Sequence, residues 1–190
     1  AFNNPAHPVN VLAEWDFVNN DGNTGIQAGD PDNQHWHGTW ILGTIGAYMP
    51  GAMVGGAWEA SFVLAKTEVV PTETPIEEDY YVAGLEFVEA HGADLATSSL
   101  GYIDWYTQAD LNGHTCVTTK GVNRATANGM VCLTAAGNEG HDADPATSTI
   151  IAPADAYDVI TCGAVNVSGA IAGFSSSGPT ADGRVKPEVL

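Results

Sequence analysis

Basic side chains are scarce in this sequence of 190 residues. Five lysines and arginines stand against 23 aspartates and glutamates, which gives a formal net charge of -18 at pH 7. A field of this sign repels phosphate backbones and anionic lipid surfaces. The charge balance therefore excludes nucleic acid as a partner and argues against binding to a membrane surface.

Long apolar runs are missing as well. No uninterrupted hydrophobic segment approaches the roughly 20 residues that a helix needs to cross a bilayer. The first residues lack the charged and apolar regions of a signal peptide. We therefore expect a soluble, mature chain with no membrane partner.

Cysteine is rare, with three residues at positions 116, 132 and 162 and no Cys-x-x-Cys spacing. An odd number without that spacing predicts neither a zinc site nor a full disulfide framework. Cys132 and Cys162 lie within apolar runs, so we interpret both as small buried core residues, with a bridge between them as the alternative. The cysteines leave the cellular compartment open.

Hydrophobic residues make up 44% of the chain and charged residues 15%, a balance typical of a globular protein with one core. Short β-like runs alternate with helical stretches, which predicts βαβ units around a mainly parallel sheet. Without a low-complexity linker or an internal repeat, residues 1–190 are predicted to form a single domain. The predicted strands are Val9–Ala13, Ser61–Lys66, Asp94–Ser98, Met130–Ala135 and Val159–Val165, and the predicted helices are Trp36–Tyr48, Ile76–His91 and Thr115–Ala127.

A loop between Asp16 and Asn33 is rich in aspartate and asparagine. Such oxygen ligands are those that calcium prefers, but a solvated turn of Asn, Asp and Gly explains the same composition. Further along, Asn166 begins an N-glycosylation sequon, which matters only if the source glycosylates secreted proteins.

Two polar residues stand where parallel α/β proteins place functional groups. His37 lies near the start of a predicted helix, and Asn138 follows a buried strand directly after Gly137. Ligands bind at the carboxyl ends of strands in such sheets, and an amide there can donate a hydrogen bond to a developing oxyanion. Taken alone, each residue is more typical of an ordinary turn than of a functional site.

Taken together and in order, several short motifs resemble the subtilisin-like serine proteases, from about Asp16 to Leu190. The resemblance implies an α/β fold with a doubly wound, mainly parallel sheet and helices on both faces. It also implies a secreted or extracellular endopeptidase that acts on polypeptide substrates. The motifs are His37-Gly38-Thr39, Ser99-Leu100-Gly101, Ala136-Gly137-Asn138, Phe174-Ser175-Ser176-Ser177-Gly178-Pro179-Thr180 and Asp182-Gly183-Arg184-Val185-Lys186-Pro187.

The resemblance assigns roles to individual residues. His37 is similar to the catalytic histidine, which takes the proton of the nucleophile and returns it to the leaving amine. Asn138 resembles the oxyanion-hole amide. Substrate binding is implied at Ser99, Leu100, Gly101, Ala136, Gly137 and Glu139.

Further expectations follow from the same resemblance. The Ala152–Pro153 bond is expected to be cis. A structural calcium ion is expected to use Asp16 and Asp21, and no cofactor is expected for the chemistry itself. A propeptide or flanking chain segments are expected as additional partners.

The sequence also departs from the family pattern. We find no counterpart of the Asp-Thr/Ser-Gly motif of the catalytic aspartate or of the Gly-Thr-Ser-Met-like motif of the nucleophile. The domain is therefore expected to be truncated before both motifs, and residues 1–190 alone are expected to be inactive and prone to aggregation. The serines that are present are interpreted as strand or turn residues: Ser98, Ser99, Ser175, Ser176 and Ser177.

Two alternatives to a protease remain open. One is a protease-derived binding or structural module that retains the peptide-binding edge at Ser99–Gly101 but has lost the catalytic triad. The other is an unrelated α/β binding domain whose acidic loop holds calcium.

Overall fold

A computed structural model describes residues 4–70, 72–144 and 146–190. The chain divides into two compact units, Ala1–Tyr80 and Tyr81–Leu190. In chain order the elements are β1 (Asn10–Asp16), α1 (Trp36–Gly46), β2 (Tyr48–Met49), β3 (Met53–Val54), β4 (Ser61–Lys66), α2 (Ile76–Ala90), β5 (Leu95–Ser98), α3 (Val117–Ala127), β6 (Val131–Ala135) and β7 (Ile160–Cys162), with a short 3-10 turn at Gln108–Asp110.

The first unit is built on the parallel pair β1 and β4, in which Asp16 lies beside Lys66. β4 has the predicted bounds, whereas β1 extends three residues beyond the predicted end because its last residues continue the pairing with β4. α1 ends at Gly46, two residues earlier than predicted, because Tyr48 pairs with Val54 in an antiparallel hairpin. This hairpin has no counterpart among the elements predicted from the sequence.

The second unit is built on a three-stranded parallel sheet in the order β5-β6-β7. β7 is shorter than the predicted Val159–Val165, because Val165 leaves the strand to form a bridge with Ile171. Apolar side chains pack between this sheet and its helices, including Tyr81, Leu85, Tyr102, Val122, Met130, Cys132 and Val159.

α2 shows why local sequence predicts a helix well. Three acidic residues in its first turn interact favourably with the positive end of the helix dipole. The buried carboxylate of Glu77 accepts the N–H groups of Val69 and Thr74 at 2.8 and 2.6 Å. At the other end Gly92 has φ +78°, a left-handed conformation that glycine adopts without a steric penalty.

The three cysteines carry free thiols. Cys132 is buried, as predicted, whereas Cys162 is only partly buried. The alternative of a bridge between them is wrong, because Cys162 pairs with Ala135 in the sheet, three residues beyond Cys132. Burial raises the pKa of the Cys132 thiol to about 11, so this thiol is protonated at neutral pH.

The α/β class with parallel strand pairing is as predicted. No helix among the described residues combines the length and the apolar character required to cross a membrane.

Candidate active site

His37 is the second residue of α1 and is exposed. The start of this helix is anchored by Gln34, whose buried side chain donates to the Glu68 carbonyl oxygen at 2.6 Å and accepts from the Val70 N–H at 3.0 Å. These bonds connect the loop before α1 to the segment that follows β4. The predicted catalytic histidine therefore lies at an anchored helix start.

Asp16 and Asp21, the predicted calcium ligands, lie next to each other in the first unit. The Asp16 N–H donates to the Asp21 carbonyl oxygen at 2.7 Å, and the Asp21 N–H donates back at 3.1 Å. The side-chain amide of Gln27 donates to both carboxylates at 3.2 Å. A third group, the Lys66 ammonium, lies 2.7 Å from Asp16 Oδ2 and 3.0 Å from Asp30 Oδ2.

Lys66 lowers the pKa values of Asp16 and Asp30. Burial alone would raise the pKa of Asp16, but hydrogen bonds from Lys66 and Asn19 outweigh it and hold the pKa below its usual value. Burial would also raise the pKa of Asp30, but its hydrogen bond from Lys66 and those from its other donors outweigh burial, so this pKa is lowered as well. Burial also opposes the charge of Lys66, yet its bonds to the two carboxylates raise its pKa overall. All three groups are therefore charged at neutral pH.

The donor set around Asp16 does not fit a calcium ion as these side chains stand. Asp16 Oδ1 accepts the N–H groups of Val18 and Asn19, and Oδ2 accepts the side chains of Asn19, Gln27 and Lys66. Calcium takes about 6–8 oxygen ligands, and a lysine ammonium already neutralises this carboxylate. The calcium site stays a prediction without support from these contacts, and a calorimetric titration with Ca²⁺ is its test.

Among the described residues, one cluster of three glutamates has its carboxylate oxygens close enough together to hold a metal ion. Oxygens of Glu68, Glu73 and Glu77 lie within 4.8 Å of one another. Both Glu77 oxygens already accept backbone N–H groups at the start of α2. These bonds give Glu77 a structural role without a metal ion.

The second unit brings the predicted substrate-binding residues to one edge of its sheet. β5 and β6 are parallel neighbours, and Ser98 at the end of β5 pairs with Thr134. The segments 99–101 and 136–139 therefore leave the sheet side by side. Asn138 is exposed in the second of these segments, where its side-chain amide is accessible from outside the unit.

The turn that carries Asn138 is held by Ser176, which was interpreted from the sequence as a strand or turn residue. The Ser176 N–H donates to the Gly137 carbonyl oxygen at 3.1 Å, and its hydroxyl accepts the Glu139 N–H at 3.0 Å. Gly137 itself has φ +123°, which a side chain would disfavour. The motif at Phe174–Gly178 indicates that this segment is part of the site, but the sequence does not show that Ser176 bonds to Gly137 and Glu139.

A third segment joins the first two. Tyr102 and Ala152 exchange backbone hydrogen bonds of 2.8 and 3.0 Å, and the Ile151 N–H donates to the Ala136 carbonyl oxygen at 3.1 Å. The Ala152–Pro153 bond is cis, as predicted. Within the second unit, three backbone segments thus converge around Ile151, beside the residues assigned to substrate binding.

Comparisons with known proteins identify relatives of the chain by sequence. The chain is 32% identical over 178 residues to a subtilisin of Bacillus pumilus, covering 93% of this chain and 58% of that protein. It is 32% identical over 179 residues to subtilisin E of Bacillus subtilis (strain 168), covering 93% of this chain and 42% of that protein. The chain thus spans about half the length of these relatives.

A solved structure of a mutant protease domain of PatA has the same fold. It matches with a TM-score of 0.68 at 19% sequence identity, covering 90% of this chain and 56% of that chain. The sequence model described as the subtilase family, peptidase S8, matches residues 5–190. With the parallel α/β units and the ordered motifs already described, this match shows that the chain belongs to the subtilase family.

Proposed function

We propose that the whole protein containing this chain is a serine endopeptidase, with His37 and Asn138 in its catalytic machinery. The observation that carries the proposal is the convergence of segments 99–101, 136–139 and 150–153 in the second unit, within a chain of the subtilase family. Residues 1–190 enter the proposal as one peptidase domain.

The chemistry assigned to His37 is proton transfer. A serine hydroxyl attacks the peptide carbonyl carbon, His37 accepts the hydroxyl proton, and the same proton passes to the amine nitrogen as the peptide bond breaks. Water then repeats the sequence to release the acyl group. The nucleophile and the orienting aspartate come from segments outside residues 1–190, so this stretch alone is expected to be inactive.

Asn138 and the segment Ser99–Gly101 act on the substrate in different ways. The Asn138 amide donates to the carbonyl oxygen and strengthens that bond as the oxygen becomes negative in the transition state. The backbone of Ser99–Gly101 pairs with the substrate as an added strand, so it binds polypeptides without regard to most side chains. Substrates are therefore proposed to be polypeptides, and a propeptide that occupies the same edge is the proposed internal partner.

A location outside the cytoplasm completes the proposal. Its support is the large excess of carboxylates over basic groups, which keeps a protein soluble in an external medium.

The experiment combines labelling with a fluorophosphonate, which reacts with activated serines, and hydrolysis of a peptide library by the whole protein. His37→Ala is expected to abolish both labelling and turnover. Asn138→Ala is expected to lower kcat about a hundred- to a thousandfold with little change in KM, a magnitude known from subtilisin itself. His91→Ala and Asn128→Ala, which alter exposed residues just after α2 and just after α3, serve as matched controls.

Absence of both labelling and hydrolysis would contradict a protease. If labelled peptides nevertheless bound to the unreactive protein, the result would favour a protease-derived binding module instead.

A further inference from the structure

Ser176 forms hydrogen bonds to the residues on both sides of Asn138. Its N–H donates to the Gly137 carbonyl oxygen at 3.1 Å, and its hydroxyl oxygen accepts the Glu139 N–H at 3.0 Å. Asn138 between them is exposed. One residue from a distant part of the chain thus fixes the backbone on either side of the side chain that is proposed to bind the oxyanion.

The hydroxyl of Ser176 also fills the space beside this turn. Ser176 is 1% exposed, and a Cβ atom placed on Gly137 would come within 2.7 Å of Ser176 Oγ. Removal of the hydroxyl would therefore take away the acceptor of the Glu139 N–H and open a space into which the turn can move.

The far end of the turn is held without the Ser176 side chain. The Gly140 N–H donates to the Phe174 carbonyl oxygen at 2.9 Å, and the Thr149 hydroxyl donates to the Gly140 carbonyl oxygen. Loss of the Ser176 hydroxyl is therefore expected to loosen the part of the turn that carries Asn138 while its far end stays in place.

We propose that Ser176 is a positioning residue for catalysis, which acts by holding the Asn138 amide where the negative oxygen develops. The inference rests on the proposed function, since it assumes that Asn138 donates to that oxygen. Such a donor stabilises the transition state only when it is already in place, because movement during the reaction would cost part of the gain. The Ser176 hydroxyl supplies this fixed geometry without touching the substrate.

The test measures kcat and KM of the whole protein for one peptide substrate. Ser176→Ala is expected to lower kcat about 10- to 100-fold, the range that follows from a misplacement of about 1 Å or less. KM should change little, because the bond from Asn138 becomes strong only as the oxygen gains charge.

A double-mutant cycle separates positioning from a general structural role. In the Asn138→Ala background there is no amide left to position, so adding Ser176→Ala should lower kcat by less than about twofold further. Ser176→Cys keeps a side chain of similar size but offers only a weak acceptor, and it provides the same comparison if Ser176→Ala does not fold.

Ser175→Ala is the matched control. Ser175 is 2% exposed, and its hydroxyl accepts the Ala164 N–H at 3.0 Å, the same distance as the bond from Glu139 to Ser176. Its truncation should lower the thermal stability by an amount similar to that of Ser176→Ala and leave kcat close to the wild-type value.

Three results would overturn the role of Ser176 in a protein that still cleaves peptides. These are an unchanged kcat in Ser176→Ala, an equal fall in kcat in Ser175→Ala, and an undiminished effect of Ser176→Ala in the Asn138→Ala background. Absence of cleavage and of fluorophosphonate labelling in the wild type would instead overturn the proposed function, and this inference with it.

Discussion

Lys66 holds the carboxylates of Asp16 and Asp30 where no side chain of the three is more than 10% exposed. Two negative groups share one positive group, and Asn19 adds a further donor to Asp16. Partly buried charges of this kind are stable only while every partner is present. The free energy of unfolding should therefore depend strongly on this single lysine.

Replacement of Lys66 by methionine tests this dependence. At pH 7 we expect Lys66→Met to lower the free energy of unfolding by about 3 kcal/mol, because it leaves two carboxylates without their cation. Lys120→Met removes the same charge from an exposed position on α3 and is the control. Urea unfolding followed by tryptophan fluorescence measures both variants, and equal losses would contradict the role of Lys66.

The difference should also depend on pH. In the wild type the folded pKa values of Asp16 and Asp30 lie below the usual 3.8, so these groups stabilise the fold above that pH and lose this contribution as the pH falls through their folded values. In Lys66→Met, burial is no longer opposed by the lysine, and protons bind at higher pH. The difference in free energy of unfolding between the wild type and Lys66→Met should therefore narrow below about pH 4.

Among the structural elements, the segment after the cis proline is tied to α3 by Asp155. This fully buried carboxylate accepts the Gly113 N–H at 2.8 Å and the Thr119 hydroxyl at 2.6 Å. Arg184 donates to the Asp155 and Ala156 carbonyl oxygens at 2.7 and 3.0 Å. The segment that carries Ile151 is thus anchored at its end, just after the cis proline.

Asp155→Ala should remove this anchor. We expect a loss of about 2–3 kcal/mol in the free energy of unfolding, because the Gly113 N–H and the Thr119 hydroxyl stay buried without an acceptor. Asp155→Asn keeps one acceptor oxygen and should lose less, and Asp158→Ala at an exposed position should lose little. Thermal unfolding of the three variants measures these losses. If Asp155→Ala lost no more free energy of unfolding than Asp158→Ala, the anchoring role of Asp155 would be contradicted.

At the scale of the whole molecule, the charge of -18 creates a field that attracts positive peptides. If the protein is a peptidase, kcat/KM for a basic peptide should exceed that for an acidic peptide of the same residue before the cleaved bond. The ratio of the two kcat/KM values should fall as the salt concentration rises to about 1 M, because charges more than about 3 Å apart are then largely screened from one another. A neutral peptide is the control, and a ratio independent of salt would exclude steering.

Sequence alone determined the family, the α/β class and most of the helices and strands. β4 and the start of α2 were predicted to the residue, and the cis bond before Pro153 was confirmed. These features depend on short-range patterns, such as apolar periodicity, acidic first turns and ordered motifs. The roles of His37 and Asn138 came from the same motifs and stay predictions.

Only the tertiary structure decided which distant residues meet. Lys66 reaches Asp16 across 50 positions, and Ser176 holds the Glu139 N–H across 37. Ile151 comes between Gly101 and Gly137 because β5 and β6 end at the same edge. Such contacts depend on strand register and on the course of long connections, and these are set by packing of the whole chain, which no local pattern encodes.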